Sequence, residues 1–507
     1  MNVLLLNSNI VRCARSGYPQ TPAPTGLIYL AGVLISKGHK VRIEQVESHV
    51  APQDEEGLPL VREELQGIFD EFSPDLIGIS VRNVGAARRP ANPFHLIEYY
   101  SVFYDARIVT ACRMLTGAPI VIGGSALSVE PGLYLKYAKP DYAIVGEGEV
   151  PLLELVGALE GGREPFGIPG LLTESSDLDA CETYARLEDM SVIGTGACDV
   201  VESYREHYYD EGGYAGVQAK RGCPMGCIYC TTPFLEGCPY RYRPMDHVID
   251  EIKAYQDCWG IRHFFFLDAT FNDPIEHGLN VCQAILDAGL DIEWFSEITP
   301  AAVTDELCIM MKKSGCIGVT MSPDSCSESV LKAYDKPFGM AEVENAVKLV
   351  AKHDLAFDVR LIVGGPGETM ETLAESFEFC SEHLQDECVG FYDGMVITSR
   401  APVYKIAVDE GLIDSSRPYE EIVFDNDFRA MKNFEYFFPH IKDSRRQLAA
   451  LLDRTCIGRR WRVTSRDYAP DPETGEFSFK PEITVRKGAR PWFSGWSREP
   501  TQGAAGQ

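Results

Sequence analysis

Three cysteines close together carry the most specific chemistry in this chain. They are Cys223, Cys227 and Cys230, within Arg221-Gly222-Cys223-Pro224-Met225-Gly226-Cys227-Ile228-Tyr229-Cys230. The spacing is C-x3-C-x2-C, and iron–sulfur clusters are held by thiolates at tight local spacings of this kind. Three thiolates leave one iron of a four-iron cube without a nearby cysteine, open to a substrate or cofactor. The alternatives are a zinc site or thiols that hold no metal. A structural zinc site draws four protein ligands, often as two separated pairs. No second close pair follows here, and the nearest later cysteine is Cys238.

With the aromatic Tyr229 ahead of its last cysteine, the run resembles the cluster loop of the radical S-adenosylmethionine (SAM) enzymes. The resemblance implies a [4Fe-4S] cluster on Cys223, Cys227 and Cys230. Its open iron would chelate SAM, and one electron would cleave SAM to a 5′-deoxyadenosyl radical. Two later stretches extend the resemblance. Ser322-Pro323-Asp324-Ser325, followed by Val330-Leu331-Lys332-Ala333-Tyr334-Asp335-Lys336, stands where the family reads Gly-Ile-Glu-Ser before a Leu…Asn-Lys-like run. Aspartate replaces the usual glutamate. Gly364-Gly365-Pro366-Gly367-Glu368-Thr369 matches the family's glycine-rich run. The resemblance implies a SAM pocket of Tyr229, Asp324, Arg360, Gly364, Gly365, Pro366 and Glu368. Its glycines would admit close backbone approach, and Arg360 would pair with the SAM carboxylate. Two rival readings remain: Arg360 bonded to an acid of a neighbouring strand, and Glu368 capping the next helix.

These residues need elements to position them. From Met1 to about residue 190, apolar strands alternate with helical stretches. The strands are Val3–Asn7, Val41–Ile43, Asp75–Val81, Ala118–Gly124 and Tyr142–Gly146, with a helix over Leu27–Lys37. This alternation predicts a parallel sheet covered on both faces, with ligands beyond the carboxyl ends of its strands. No G-x-G-x-x-G follows the first strand, so a dinucleotide site is weakly supported. The Pro-Thr-Gly loop ending at Gly26, Ser80–Asn83, Gly123-Gly124 and Val145–Glu149 instead resemble the cobalamin-binding domain that precedes many radical SAM domains. The resemblance implies cobalamin contacts from Arg82, Asn83, Gly123, Gly124, Ser125, Gly146, Glu147 and Gly148. No Asp-x-His-x-x-Gly run is present, so the cobalt would have no histidine below it, with Arg82 or Asn83 facing it instead. The alternatives are a plain Rossmann-like module, and an Arg82 that caps a strand or pairs with a carboxylate.

Residues 191–212 read as a linker. From 213 to 402, strands at His263–Leu267, Ile292–Phe295, Ile317–Met321, Val359–Val363 and Val389–Tyr392 alternate with helices at 245–258, 274–288, 304–314 and 340–353. Such units predict a partial (β/α)6 barrel, with its chemistry at the carboxyl ends of the strands. Residues 403–507 read as a small C-terminal substrate or capping domain. It contains the aromatic run 436–440, a charged helix near 443–453 and a disordered Gly- and Gln-rich end. The fold class expected is therefore α/β: a Rossmann-like cobalamin-binding domain, a partial barrel and a C-terminal extension.

The 507 residues exceed what one core supports, and 45% apolar with 24% charged residues is ordinary for a globular protein. A formal net charge of −28 argues against a nucleic-acid-binding surface. The apolar stretch Leu27–Ile35 is far short of the ~20 residues a bilayer needs. No charged leader or cleavage site opens the chain, and its sixteen cysteines point to a reducing cytoplasm.

The paired resemblance implies a cobalamin-dependent radical SAM enzyme, most of which are methyltransferases. In them one SAM methylates cob(I)alamin and another yields the radical that takes hydrogen from the substrate. The expected substrate is a small molecule and the expected reductant a flavodoxin- or ferredoxin-type protein; Arg241 and Arg243 either offer it a docking patch or are ordinary surface or SAM-pocket arginines. Rival readings are a rearrangement or cyclisation without methyl transfer, non-radical transfer to a nucleophilic carbon, and a corrinoid or iron–sulfur carrier. No single residue is singled out as catalytic.

Overall fold

The computed structural model describes residues 1–9, 24–47, 57–81, 101–176, 184–193, 214–384, 388–393, 395–417, 435–436 and 461–464. Arg82, Asn83, most of the expected linker and nearly all of the C-terminal segment lie outside them.

The N-terminal sheet contains β1 (Asn2–Asn9), β2 (Lys40–Glu47), β3 (Leu76–Val81), β4 (Ile120–Gly123), β5 (Tyr142–Ile144) and β6 (Leu171–Leu172). Its order is β2-β1-β3-β4-β5-β6. All pairs are parallel except β5–β6. Alternating side chains of a strand face opposite sides, and both sides here are apolar. Val3, Leu5, Val41 and Ile43 pack beneath the helices Thr25–Ser36 and Glu149–Glu160. Leu4, Leu6, Ile77 and Ile79 pack beneath Gly57–Glu71 and Ser101–Leu115. Each such side chain contributes about 1.5–3 kcal/mol on burial. The strand order reverses between β1 and β3, and a crevice beyond the carboxyl ends at such a point is where open α/β sheets take ligands.

The second unit opens with β7 (Ala215–Val217) and a hairpin of β8 (Lys220–Arg221) and β9 (Arg241–Tyr242). There follow β10 (His263–Phe266), β11 (Glu293–Ile298), β12 (Cys316–Asp324), β13 (Ala356–Val363) and β14 (Cys388–Asp393). A short pair, β15 (Met395–Val396) with β16 (Glu435–Tyr436), precedes β17 (Trp461–Thr464). The parallel order is β7-β10-β11-β12-β13-β14-β17. The five strands named from the sequence are present; β7, not among them, makes the sixth of the expected (β/α)6 barrel, and β17, from the C-terminal segment, adds a seventh. The expected boundary between residues 402 and 403 falls inside the helix Pro402–Asp409. That helix cannot be split from the barrel, because Val403, Ala407 and Ile413 share a core with Ile228 of the cluster loop.

Phe264, Phe266, Trp294, Val319, Met321, Phe357, Val359 and Leu361 are buried in the core beneath the outer helices. Strand alternation turns the residues between them inward. They stack in layers, as in closed barrels. Nearest the amino ends, Phe265 stacks on Phe295 with centroids 4.6 Å apart, and Tyr214 meets Phe295 edge-on at 5.0 Å. One step along, Glu297, Thr320 and Asp358 are in register across β11, β12 and β13. The aromatic layer lies toward the bottom, and polar groups begin above it. The two units share one apolar core, in which Leu27, Ile28 and Leu155 of the first meet Ala215, Val217 and Phe264 of the second.

Candidate functional site

The cluster loop leaves β8 and is held from both sides. Asp268, at the end of β10, accepts the N–H groups of Ala219 and Lys220 at 2.8 and 3.1 Å, while its other oxygen meets His277 at 2.8 Å. Cys223 N–H donates to the Gly237 carbonyl at 2.9 Å, and Gly222 N–H to Glu236 at 2.9 Å. Cys223 is buried, while Cys227 and Cys230 are half-buried. All three are free thiols. Burial pushes the Cys223 thiol up to about 11, and raises that of Cys227 too; metal loading would displace these protons. Among the described residues no three His, Cys, Asp or Glu side chains converge on one ion. A cube does not require that, since each of its irons takes a single thiolate. The donor set therefore fits a [4Fe-4S] cluster held by Cys223, Cys227 and Cys230.

Three consecutive residues clasp this loop. The Tyr334 carbonyl accepts Ile228 N–H at 3.2 Å. Asp335 lies against Gly226, where a Cβ would sit 2.2 Å from its carboxylate. Lys336 Nζ donates to the Tyr229 hydroxyl at 2.8 Å and the Ser322 carbonyl at 3.1 Å, and pairs closely with Asp324. Tyr229 donates to the same Asp324 oxygen. Asp324, buried at φ +67° where the β12–β13 register shifts, thus ties the cluster loop to the barrel. Asp324 and Tyr229, expected at SAM, bond in the structure to Lys336 and to each other. Lys336, the end of the motif run that carries the resemblance, has no expected role of its own.

The other expected SAM residues occupy the adjoining strand end. Arg360 Nε donates to Asp358 of its own strand at 3.1 Å and Nη1 to Glu297 of β11, two strands away, at 3.2 Å. It remains half-exposed inside the barrel. Burial raises the Glu297 carboxyl. Gly364 and Gly365 form the turn after β13; a Cβ on Gly365 would lie 2.3 Å from the Tyr334 hydroxyl. Pro366 continues that turn. Glu368 is buried and accepts Gly364 N–H, which makes it a brace for the loop rather than an open ligand. Burial pushes its carboxyl up to about 8.

At the N-terminal sheet, Gly123, Gly124, Ser125, Gly146, Glu147 and Gly148 are half-buried together at the carboxyl ends of β4 and β5. Two of the glycines are required by the fold itself. Gly124 at φ +112° and Gly146 at φ +96° would place a Cβ 2.3 and 2.4 Å from the Val81 and Ala185 carbonyl oxygens. Ser128, absent from the sequence reading, joins their loops by donating to Gly124 O at 2.9 Å and accepting Gly146 N–H at 3.0 Å. The small residues suit a flat ligand on this edge. Glu147 does not serve it: Arg241 donates to its two oxygens at 2.8 and 2.7 Å, and Leu187 N–H also reaches it.

The expected docking patch is also corrected. Arg241 is spent on Glu147. Arg243 is buried and donates to Glu251 at 2.6 Å, the Gln218 carbonyl at 2.9 Å and Tyr29 at 3.2 Å. Neither offers a free cation to a partner. Arg221, buried beside them, donates to Glu149 at 2.6 Å. Burial alone would raise the Glu149 carboxyl, but the adjacent Arg221 outweighs it and holds the group low.

Comparison with known proteins agrees with this layout. The B12 binding domain model matches residues 12–156, and the Radical SAM superfamily model matches residues 217–380. The chain thus pairs a B12-binding domain with a radical SAM domain. It is 27% identical over 369 residues to an uncharacterized methyltransferase of Pyrococcus horikoshii, covering 71% of this chain and 74% of that protein. It is 24% identical to the cytidylyl-2-hydroxyethylphosphonate methyltransferase of Streptomyces wedmorensis, covering 86% of this chain and 91% of that one. Its fold matches the radical SAM methyltransferase TsrM from Kitasatospora setae, solved with tryptophan and a SAM analogue. The TM-score is 0.71 at 23% identity, covering 93% and 92% of the two chains. Among the described residues no helix is long and apolar enough to cross a membrane.

Proposed function

We propose that this protein is a cobalamin-dependent methyltransferase that adds a methyl group to an unactivated carbon of a small molecule. One observation carries the reading: the hairpin that leads into the three-cysteine loop of a parallel barrel is bonded directly to the loop at the carboxyl end of β5 in a Rossmann-like sheet. When bound, the cluster supplies the electron that opens SAM and the corrinoid supplies the methyl group. The chain's own residues hold and enclose. Cys223, Cys227 and Cys230 ligate; Lys336, Asp324 and Tyr229 fix the loop; Arg360, Glu297 and Asp358 line the chamber above the aromatic layer. The aromatic layer makes the amino-end side of the barrel apolar, and exclusion of water protects reactive intermediates. The small-molecule substrate class follows the relatives, named for a phosphonate nucleotide and bound to tryptophan. A flavodoxin- or ferredoxin-type protein would supply electrons.

Anaerobic reconstitution with iron, sulfide and hydroxocobalamin tests this. The loaded protein should show both chromophores, form 5′-deoxyadenosine from SAM, and add one CH2 to its substrate. Cys223→Ala should lose iron loading and SAM cleavage together. Cleavage at the parent rate in that variant would refute the assignment. Product without added mass favours rearrangement, and methylated product without 5′-deoxyadenosine favours non-radical transfer.

A further inference from the structure

Two cofactors that serve one reactant must be held at a fixed spacing, and the loops that would carry them meet in a buried lattice of four charges. Glu147 and Glu149 follow β5 at the ligand-facing edge of the N-terminal sheet. Arg221 and Arg241 are direct cross-strand partners in the β8–β9 hairpin, whose first strand runs through Gly222 into Cys223. Arg241 grips both Glu147 oxygens and also donates to the carbonyls of Leu187 and Glu236, each at 2.6 Å. Arg221 meets Glu149 at 2.6 Å and Glu147 at 3.5 Å, and its Nε donates to Gln218 at 2.8 Å. The side chains of Arg221, Glu147 and Glu149 are each less than 10% exposed.

Buried ion pairs are a weak source of net stability compared with apolar packing of the same volume, and the shared apolar core already joins the two units. What a forked guanidinium adds is direction: two parallel bonds fix angle as well as distance. The lattice also ends one residue from the first cysteine, through Glu236 on Gly222 N–H.

We propose that Glu147 and Glu149 are positioning residues that set the spacing and angle between the corrinoid-facing loop and Cys223. This rests on the two-cofactor reading above.

The test uses the full chain loaded with iron, sulfide and hydroxocobalamin, poised so that cobalt and cluster are both paramagnetic. Pulsed EPR then gives the spin–spin distance in the parent, Glu149→Gln, Arg241→Lys and Glu149→Asp. The parent should show one narrow distance. Glu149→Gln and Arg241→Lys should keep their iron and cobalt yet show a longer or broader distribution, with product formation lowered on the order of 10²-fold. Glu149→Asp, which keeps the charge, should fall between and carries the test if Glu149→Gln fails to fold. An unchanged narrow distance in the variants overturns the positioning role. Loss of either metal from folded variants also overturns it, because the residues would then bind a cofactor rather than space it. A parent that takes up neither metal refutes the two-cofactor reading instead.

Discussion

In the N-terminal sheet, a side chain on Gly124 or Gly146 would strike backbone oxygens of Val81 and Ala185. In the barrel, a side chain on Gly365 would strike the hydroxyl of Tyr334, and the neighbouring loops are bound by Lys336, Asp324 and Glu368. Both edges are glycine-rich in sequence, yet the glycines of the first meet main chain and Gly365 of the second meets a side chain. A main-chain contact is the more rigid of the two. A side-chain closure carries ionisable groups, so it responds to pH and to single deletions. It also joins the cluster loop to the barrel through the same three residues, 334–336.

The sharpest break of this contrast is Lys336→Met. It strands Asp324 as a buried, unpaired carboxylate and should cost about 3–5 kcal/mol in denaturant unfolding. Adding Asp324→Asn should restore much of that loss; no recovery would mean the pair does not act as a unit. Gly146→Ala should cost about 3 kcal/mol, since positive φ and a main-chain contact both oppose it. No second-site change of a side chain should rescue it. Gly365→Ala should cost about 1–3 kcal/mol, and Tyr334→Phe should relieve part of it by removing the nearest atom. Equal rescue at both glycines would erase the distinction.

The last effect concerns pH. Glu368 has its carboxyl raised from 4.5 to about 8 by burial. Between those values the unfolded chain has lost a proton that the folded chain keeps, so stability from this group is full below pH 4.5 and declines as pH rises toward 8. Glu368→Gln keeps an acceptor for Gly364 N–H and cannot ionise. It should flatten that slope and be more stable than the parent near pH 8, read from melting temperatures across the range.

Much of this was legible in the sequence because the signals are local. The three cysteines lie within eight residues, and most of the apolar runs that mark the strands fall within three residues of their observed ends. The roles of the arginines were not legible. Arg241 and Arg243 stand close to the cluster loop and read as a docking patch, but Glu147, which Arg241 grips, lies 94 residues earlier, and Tyr29, which Arg243 meets, lies 214 residues earlier. Asp324 was found by motif, whereas its left-handed backbone and its bond to Lys336 arise from a register shift between strands that no short window contains. Ser128 carries no motif; its contact depends on the turn that brings Gly124 and Gly146 together. Arg82 and Asn83 remain expectations about the loop that follows β3.

The seventh barrel strand has a consequence for synthesis. β14 ends at Asp393 and its partner β17 begins at Trp461. At ribosomal speeds the intervening chain takes roughly 3–14 s to emerge. During that interval β14 is a bare parallel edge, able to pair with a neighbouring nascent chain. Yield in a heterologous host should therefore improve with slower initiation or added chaperone, independently of how much iron or corrinoid the cell provides.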